Sequence, residues 1–199
     1  MTCELFDNRY HFVKLLGEGG FGKVFLAKED HSGLVVAIKQ LNNKDKEKQE
    51  AIIYEMQMIA RFNHPNIVTY KHNFIQDGLL FIVMEHCASG SLRDLMKKER
   101  LPSELVFKWM ATLTETLQFV HEKQIIHHDI KPDNILITEN GTIKISDFGI
   151  ANTGGGTHAY MSPEALMWDT NVEHDERVDI YALGVTLLEM LTGKNPFFY

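Results

Sequence analysis

A run of glycines between two strand-like segments constrains this chain more than any other feature. Tyr10 to Leu16 (YHFVKLL) and Lys23 to Glu29 (KVFLAKE) are rich in β-formers, and between them stand Gly17-Glu18-Gly19-Gly20-Phe21-Gly22. Several phosphate-binding loops share such spacing, so the flanking residues decide among them. A Walker A loop needs Ser or Thr after its Gly-Lys to hold magnesium, and here that position is Val24. A dinucleotide fingerprint opens a helix, whereas Lys23 to Glu29 reads as a strand. Two readings remain: a glycine-rich hairpin that folds its backbone N–H groups over phosphates, or an ordinary hairpin turn.

The rest of the chain divides in texture. Strand patterns continue through the turn Asp30–Gly33 and Leu34 to Gln40 (LVVAIKQ), and the charged run Lys44 to Lys48 leads into a helical pattern over 49–62. Strands resume after His64-Pro65 and end with Leu79 to Met84. Beyond Cys87–Gly90 the pattern turns helical, with an apolar stripe at 105, 106, 109, 110, 113, 117 and 120. One hairpin interrupts this half, because Asn140-Gly141 separates the alternating runs NILIT and TIKIS. Val178 to Leu191 is apolar on nearly every side, which predicts a helix buried at the centre of its lobe. The expected architecture is α+β: a small, mostly β lobe over 9–84, a hinge at 85–90, and a larger, mostly α lobe over 91–199.

Two polar constellations carry chemistry. Lys39 ends the run Val36-Ala37-Ile38-Lys39, and Glu55 lies on the apolar stripe of the next helix, beside Ile52 and Ile59. A carboxylate turned towards the protein body needs a cation, and Lys39 is the candidate. The alternative is a strand-end lysine in water and a glutamate at the edge of the stripe. The second constellation is His127-His128-Asp129-Ile130-Lys131-Pro132-Asp133-Asn134. An antiparallel hairpin brings Asn134, before its first strand, and Asp147, after its second, to one edge with Asp129 nearby. Oxygen ligands of this kind suit magnesium together with phosphate oxygens.

In that order and spacing, GEGGFGKV, VAIK, Glu55, His127 to Asn134, Asp147-Phe148-Gly149, Ser162-Pro163-Glu164 and Asp179 resemble the protein kinase catalytic domain over roughly 9–198. The resemblance implies an ATP-dependent kinase that transfers the γ-phosphate of Mg-ATP to a protein hydroxyl. It places Gly17, Glu18, Gly19, Gly20, Phe21, Gly22 and Lys23 over the phosphates. Leu16, Val24 and Ala37 would lie above the adenine and Leu136 below it, with Met84 as gatekeeper and the backbone of Glu85 and Cys87 at the adenine edge. Lys39, paired with Glu55, would hold the α- and β-phosphates, and Asn134 and Asp147 the magnesium ions. Asp129 would accept the substrate proton while Lys131 steadies the transferred phosphate. Lys131 and the segment Gly156 to Met161, with Thr157 bonding Asp129 or Lys131, resemble the serine/threonine branch. Ile59, His127 and Phe148, anchored by Asp179, stand where active kinases stack their regulatory spine.

Three departures modify that expectation. His128 replaces the arginine that reads a phosphorylated activation loop, and imidazole cannot copy its bidentate bonds. The segment from Asp147 to Glu164 is short, with Thr153 and Thr157 among its few hydroxyls, so phosphorylation there is not the expected on-switch. The chain stops at Tyr199, where the family continues into further helices. That predicts an incomplete second lobe, an exposed face on the helix at 178–191, an unpaired Glu164, and a partner or further segment covering them. The alternative function is a catalytically impaired scaffold that binds nucleotide or a partner.

Composition sets outer limits. The 199 residues are 44% hydrophobic and 24% charged, with a net charge of −7, which suits a globular protein and disfavours a general nucleic-acid binder. The longest strongly apolar run, Leu79 to Met84, is too short to span a bilayer. The N-terminus lacks a signal-peptide core, and Cys3 and Cys87 make no disulfide framework, so the cytoplasm is the expected compartment. The ten histidines show no metal-ligand spacing.

Overall fold

Strand-forming residues alternate with tight turns through the first part of the chain, and they assemble an antiparallel sheet. The computed structural model describes residues 5–20, 22–61, 63–148, 158–166 and 174–197. It divides into two compact units, Met1–Asn63 with Val68–Cys87, and His64–Ile67 with Ala88–Tyr199.

The first unit contains β1 (Leu5–Phe6), β2 (Tyr10–Gly19), β3 (Gly22–Glu29), β4 (Val35–Leu41), α1 (Lys46–Ala60), β5 (Tyr70–Gln76) and β6 (Leu79–Glu85). The sheet order is β1-β2-β3-β4-β6-β5. Successive strand residues face opposite sides. Val36 and Ile38 therefore join Phe25, Phe74, Phe81, Tyr10 and Phe6 in one buried cluster, while Ala37 and Lys39 face the other way. Phe74 and Phe81 stack with centroids 4.9 Å apart. Strand β1 was not legible in the sequence. It forms because Asp7 and Asn8 adopt left-handed φ values of 51° and 48°, which closes a short hairpin and lays Phe6 on Phe25 and Phe81.

Helix α1 starts inside the charged run, ahead of the expected 49, with the Asp45 carboxylate accepting the amides of Glu47 and Lys48. Its stripe of Ile52, Met56 and Ile59 is buried. Buried Gln49 donates to the carbonyls of Asn43 and Gly78 at 2.7 and 3.0 Å, tying the helix start to the β5–β6 turn.

The second unit contains α2 (Leu92–Lys98), α3 (Ser103–His121), β7 (Ile135–Ile137), β8 (Ile143–Ile145), α4 (Pro163–Leu166) and α5 (Arg177–Thr192). A reciprocal capping box between Ser91 and Asp94 starts α2. On α3, Val106, Trp109, Leu113, Leu117 and Val120 are buried along the predicted stripe. The Asn-Gly hairpin forms as expected, with Gly141 at φ 80° and Ile135 opposite Ile145. Helix α5 ends at Gly193, whose φ of 75° suits a residue without Cβ. It is not buried all round. Val178, Ala182, Leu183, Val185 and Met190 are enclosed, whereas Ile180 and Leu188 are about half exposed, at 48% and 50%. No helix among the described residues is long and apolar enough to cross a membrane.

Candidate functional site

The β7–β8 hairpin organises the polar cluster of the second unit. Asn134 precedes β7 in a short 3₁₀ turn, Pro132–Asn134, and Ser146 and Asp147 follow β8. The Ser146 amide and hydroxyl both donate to the Asn134 carbonyl, at 2.9 and 3.0 Å. This joins the two ends of the hairpin and brings Asn134 and Asp147 to the same edge. Asp147 holds a left-handed φ of 66°, an uncommon conformation for a residue other than glycine.

Asp129 is the hub of this cluster. Lys131 Nζ donates to its Oδ2 at 2.6 Å, and both side chains are buried, at 10% and 8% exposure. Asn134 Nδ2 donates to the Asp129 carbonyl and to Oδ2, both at 2.8 Å. A buried carboxylate bonded to a cation and to an amide donor is held in one fixed rotamer.

His127 fixes the loop from beneath. Its Nδ1 accepts the Asp129 amide at 3.2 Å, so its Nε2 carries the proton and donates to the Ser146 carbonyl at 2.8 Å. Its ring packs edge-on to Phe148, with centroids 4.4 Å apart. Fully buried Asp179, at the start of α5, accepts the amides of His127 and His128 and a bond from His121 Nε2, each at 2.8 Å. Burial works to raise the pKa of this carboxyl, but the His121 bond, the His127 ring and the two amides hold it below the ordinary carboxylate value. His128 itself has a left-handed φ of 64°, and burial lowers the pKa of its imidazole.

The first unit carries most of the remaining predicted residues. Across the β2–β3 hairpin, Gly17 pairs with Val24, Glu18 with Lys23 and Gly19 with Gly22, with Gly20 at the tip. Phe21 lies outside the described residues, as do Thr153 and Thr157. Glu18 and Lys23 form an exposed ion pair at 3.3 Å. A Cβ on Gly17, Gly19 or Gly20 would meet nothing within 4 Å, so no packing within the described chain requires glycine there. Open backbone of this kind fits a cradle for phosphates. Gly22 differs. Its φ is 143°, and a Cβ would lie 1.8 Å from the Gln40 carbonyl oxygen.

Lys39 is buried on β4, opposite Val24 on one neighbouring strand and Ile82 on the other. Glu55 lies within α1, and its side chain is outside the described residues. Leu16 is exposed on β2, Ala37 is buried, and Met84 pairs with Ala37 across β4 and β6. Glu85 is bonded to Thr69 through both its amide and its side chain, and Cys87 is buried. Leu136 lies half-buried on β7, in the second unit.

Sequence reasoning missed a further network in the second unit. Arg93 on α2 donates through Nε to Asp133 at 3.2 Å, and both its terminal nitrogens reach the Glu189 carboxylate. Nη2 also donates to the Tyr160 hydroxyl, which in turn donates to Glu189. Four residues drawn from four separate segments follow no period, so no sequence pattern marks them.

A glycine-rich hairpin with a buried lysine on the next strand, and an Asp-Lys-Asn cluster on a second unit, define the class of chain in which to look for relatives. The sequence profile of the protein kinase domain matches residues 10–199, and the chain belongs to that family. Serine/threonine-protein kinase Nek5 of Mus musculus is 38% identical over 205 residues, covering 96% of this chain and 32% of that protein. Serine/threonine-protein kinase Nek4 of Mus musculus is 37% identical over 204 residues, covering 94% and 25%. Serine/threonine-protein kinase pak-1 of Caenorhabditis elegans is 34% identical over 201 residues, covering 96% and 35%. The chain thus spans about a quarter to a third of the length of these relatives.

Proposed function

We propose that the chain is the catalytic unit of a serine/threonine protein kinase, acting in the cytoplasm and moving the γ-phosphate of ATP to a protein hydroxyl. The observation that carries this reading is the Asp129 carboxylate, buried yet held by Lys131 and Asn134. A scaffold has no need of an oriented, charged carboxylate that is costly to desolvate.

In this reading Asp129 accepts the proton of the attacking hydroxyl. Lys131 holds that carboxylate in place and faces the phosphoryl group in transfer. The backbone of residues 17–24 cradles the phosphates, and Lys39, paired with Glu55, holds their α and β groups. Within the first unit, Leu16, Val24, Ala37 and Met84 offer the apolar surface for the adenine, with the backbone of Glu85 and Cys87 along its edge. Asn134 and Asp147 offer the oxygen donors that magnesium prefers, and the ion supplies charge neutralisation on the phosphates when bound. Lys131, two residues after Asp129, supports Ser and Thr as acceptors.

The test is phosphoryl transfer from Mg-ATP to a mixed Ser/Thr/Tyr protein substrate, beside an Asp129→Asn control. Transfer to Ser or Thr that disappears in the control supports the reading. A folded chain that binds ATP but transfers nothing is the scaffold instead.

A further inference from the structure

Among the described residues, the guanidinium of Arg93 makes four hydrogen bonds outside the Asp129 cluster. It uses its donors on three partners from three different segments. Nε reaches Asp133, in the turn that delivers Asn134. Nη1 and Nη2 form a two-pronged bond to Glu189 on α5, and Nη2 also meets the hydroxyl of Tyr160, in the 3₁₀ turn His158–Tyr160. Glu189 and Tyr160 are buried, at 5% and 3% exposure, and the Arg93 side chain is mostly enclosed.

The charges agree with the geometry. Burial works against the Arg93 cation, but Glu189, Asp133 and Tyr160 raise its pKa above the ordinary value. Burial and the bond to Glu189 push the Tyr160 hydroxyl up to about 12, so it stays protonated and can donate. Glu189 therefore receives the tyrosine O–H and both guanidinium prongs, and each oxygen of this buried carboxylate is satisfied.

We propose that Arg93 is a positioning residue for phosphoryl transfer. It locks the turn bearing Asn134 and the turn bearing Tyr160 onto α5, so that the Asp129–Asn134 arrangement keeps one geometry; this rests on the kinase reading above. The chain of contact is continuous. Arg93 holds Asp133, Asp133 is adjacent to Asn134, the Asn134 amide donates to the Lys131 carbonyl at 3.0 Å, and the Asn134 side chain bonds Asp129. Lysine cannot take this place, since an ammonium on a flexible stem cannot serve three diverging partners in a fixed plane.

Arg93→Met would strand the Glu189 carboxylate and unfold the unit, so the informative variants are Arg93→Lys and Tyr160→Phe. Backbone amide exchange is measured for both, together with kcat and KM for ATP normalised to the folded fraction. Arg93→Lys is expected to lower kcat about tenfold with KM for ATP unchanged, because the transferred group is misplaced and the nucleotide is not. Exchange should accelerate at the amides of Asn134 and Met161 but not within β7 and β8. Tyr160→Phe should loosen Met161 alone. Unchanged exchange at Asn134, or faster exchange with an unaltered kcat, overturns the proposal. A wild-type chain that transfers no phosphate refutes the kinase reading, and with it the catalytic role of Arg93, while the exchange pattern still decides whether the lock exists.

Discussion

Asp179 Oδ1 accepts the backbone amide of His128 at 2.8 Å, while Oδ2 of the same carboxylate accepts the amide of His127. The pair His127-His128, at the head of the loop that bears Asp129, is thus suspended from α5, and the anchor helps hold His128 in its left-handed backbone. In Asp179→Asn one oxygen becomes an NH₂ group that faces a donor, leaving a buried amide unpaired. The expected loss is about 2–4 kcal/mol of unfolding free energy and, under the proposed kinase reading, most phosphoryl transfer as well. Urea denaturation checks it, and a variant within about 0.5 kcal/mol of the parent would refute the anchor.

The glycines of the β2–β3 hairpin should separate into two kinds. Gly22→Ala forces a Cβ into the Gln40 carbonyl at a φ that L-residues avoid, so β3 and β4 must part at their end. A drop of several degrees in melting temperature is expected, from strain on the order of 1–3 kcal/mol. Gly20→Ala meets nothing in the described chain and should melt with the parent. Its effect should be a raised KM for ATP, as expected of a backbone that must approach phosphates. Equal melting temperatures for the two variants would contradict this division.

Local signals made much of this fold readable. Asn140-Gly141 between alternating runs announced β7 and β8, and that hairpin alone brings Asn134 and Asp147 to one edge. The apolar period announced α3 and its buried face. What escaped depends on tertiary partners. Strand β1 is too short to show a period and exists because Phe6 finds Phe25 and Phe81. Arg93 and Glu189 are far apart in sequence and met as charges with no local cue. The Asp129–Lys131 pair lies between these cases, since a motif placed both residues in one loop but only the folded loop shows them bonded. Helix α5 reads as apolar on nearly every side, and its period does not single out Ile180 and Leu188 as the residues left half exposed.

Protonation of His128 should make the fold acid-sensitive. Burial is the main cause of its lowered pKa; His174 and His127 add to the effect, and Asp179 opposes it. An imidazole kept neutral in the fold titrates below its unfolded value of about 6.5, so the unfolded chain binds the proton first. The stability it contributes is fully present above that value and declines as pH falls from there towards the folded pKa. His128→Asn, which tolerates the left-handed backbone and does not titrate, should flatten the slope of unfolding free energy as pH falls below about 6.5. His64 and His86 are shifted the same way by burial, so the slope should shrink without vanishing. An identical slope in the variant would exclude His128 as a contributor.

Lys131 is the decisive neighbour of the proposed catalytic carboxylate. In Lys131→Met the Asp129 side chain stays buried with Asn134 as its remaining described donor, and its ionised form loses the nearest cation. The kinase reading then predicts a kcat lower by about 10²-fold or more, because the carboxylate loses the bond that fixes its position. Binding of ATP, followed by fluorescence titration, should weaken far less than turnover. A second variant, Lys131→Arg, retains the cation and should recover part of kcat. If Lys131→Met keeps kcat within about twofold of the parent, the pair is structural and Asp129 does not depend on it for proton transfer.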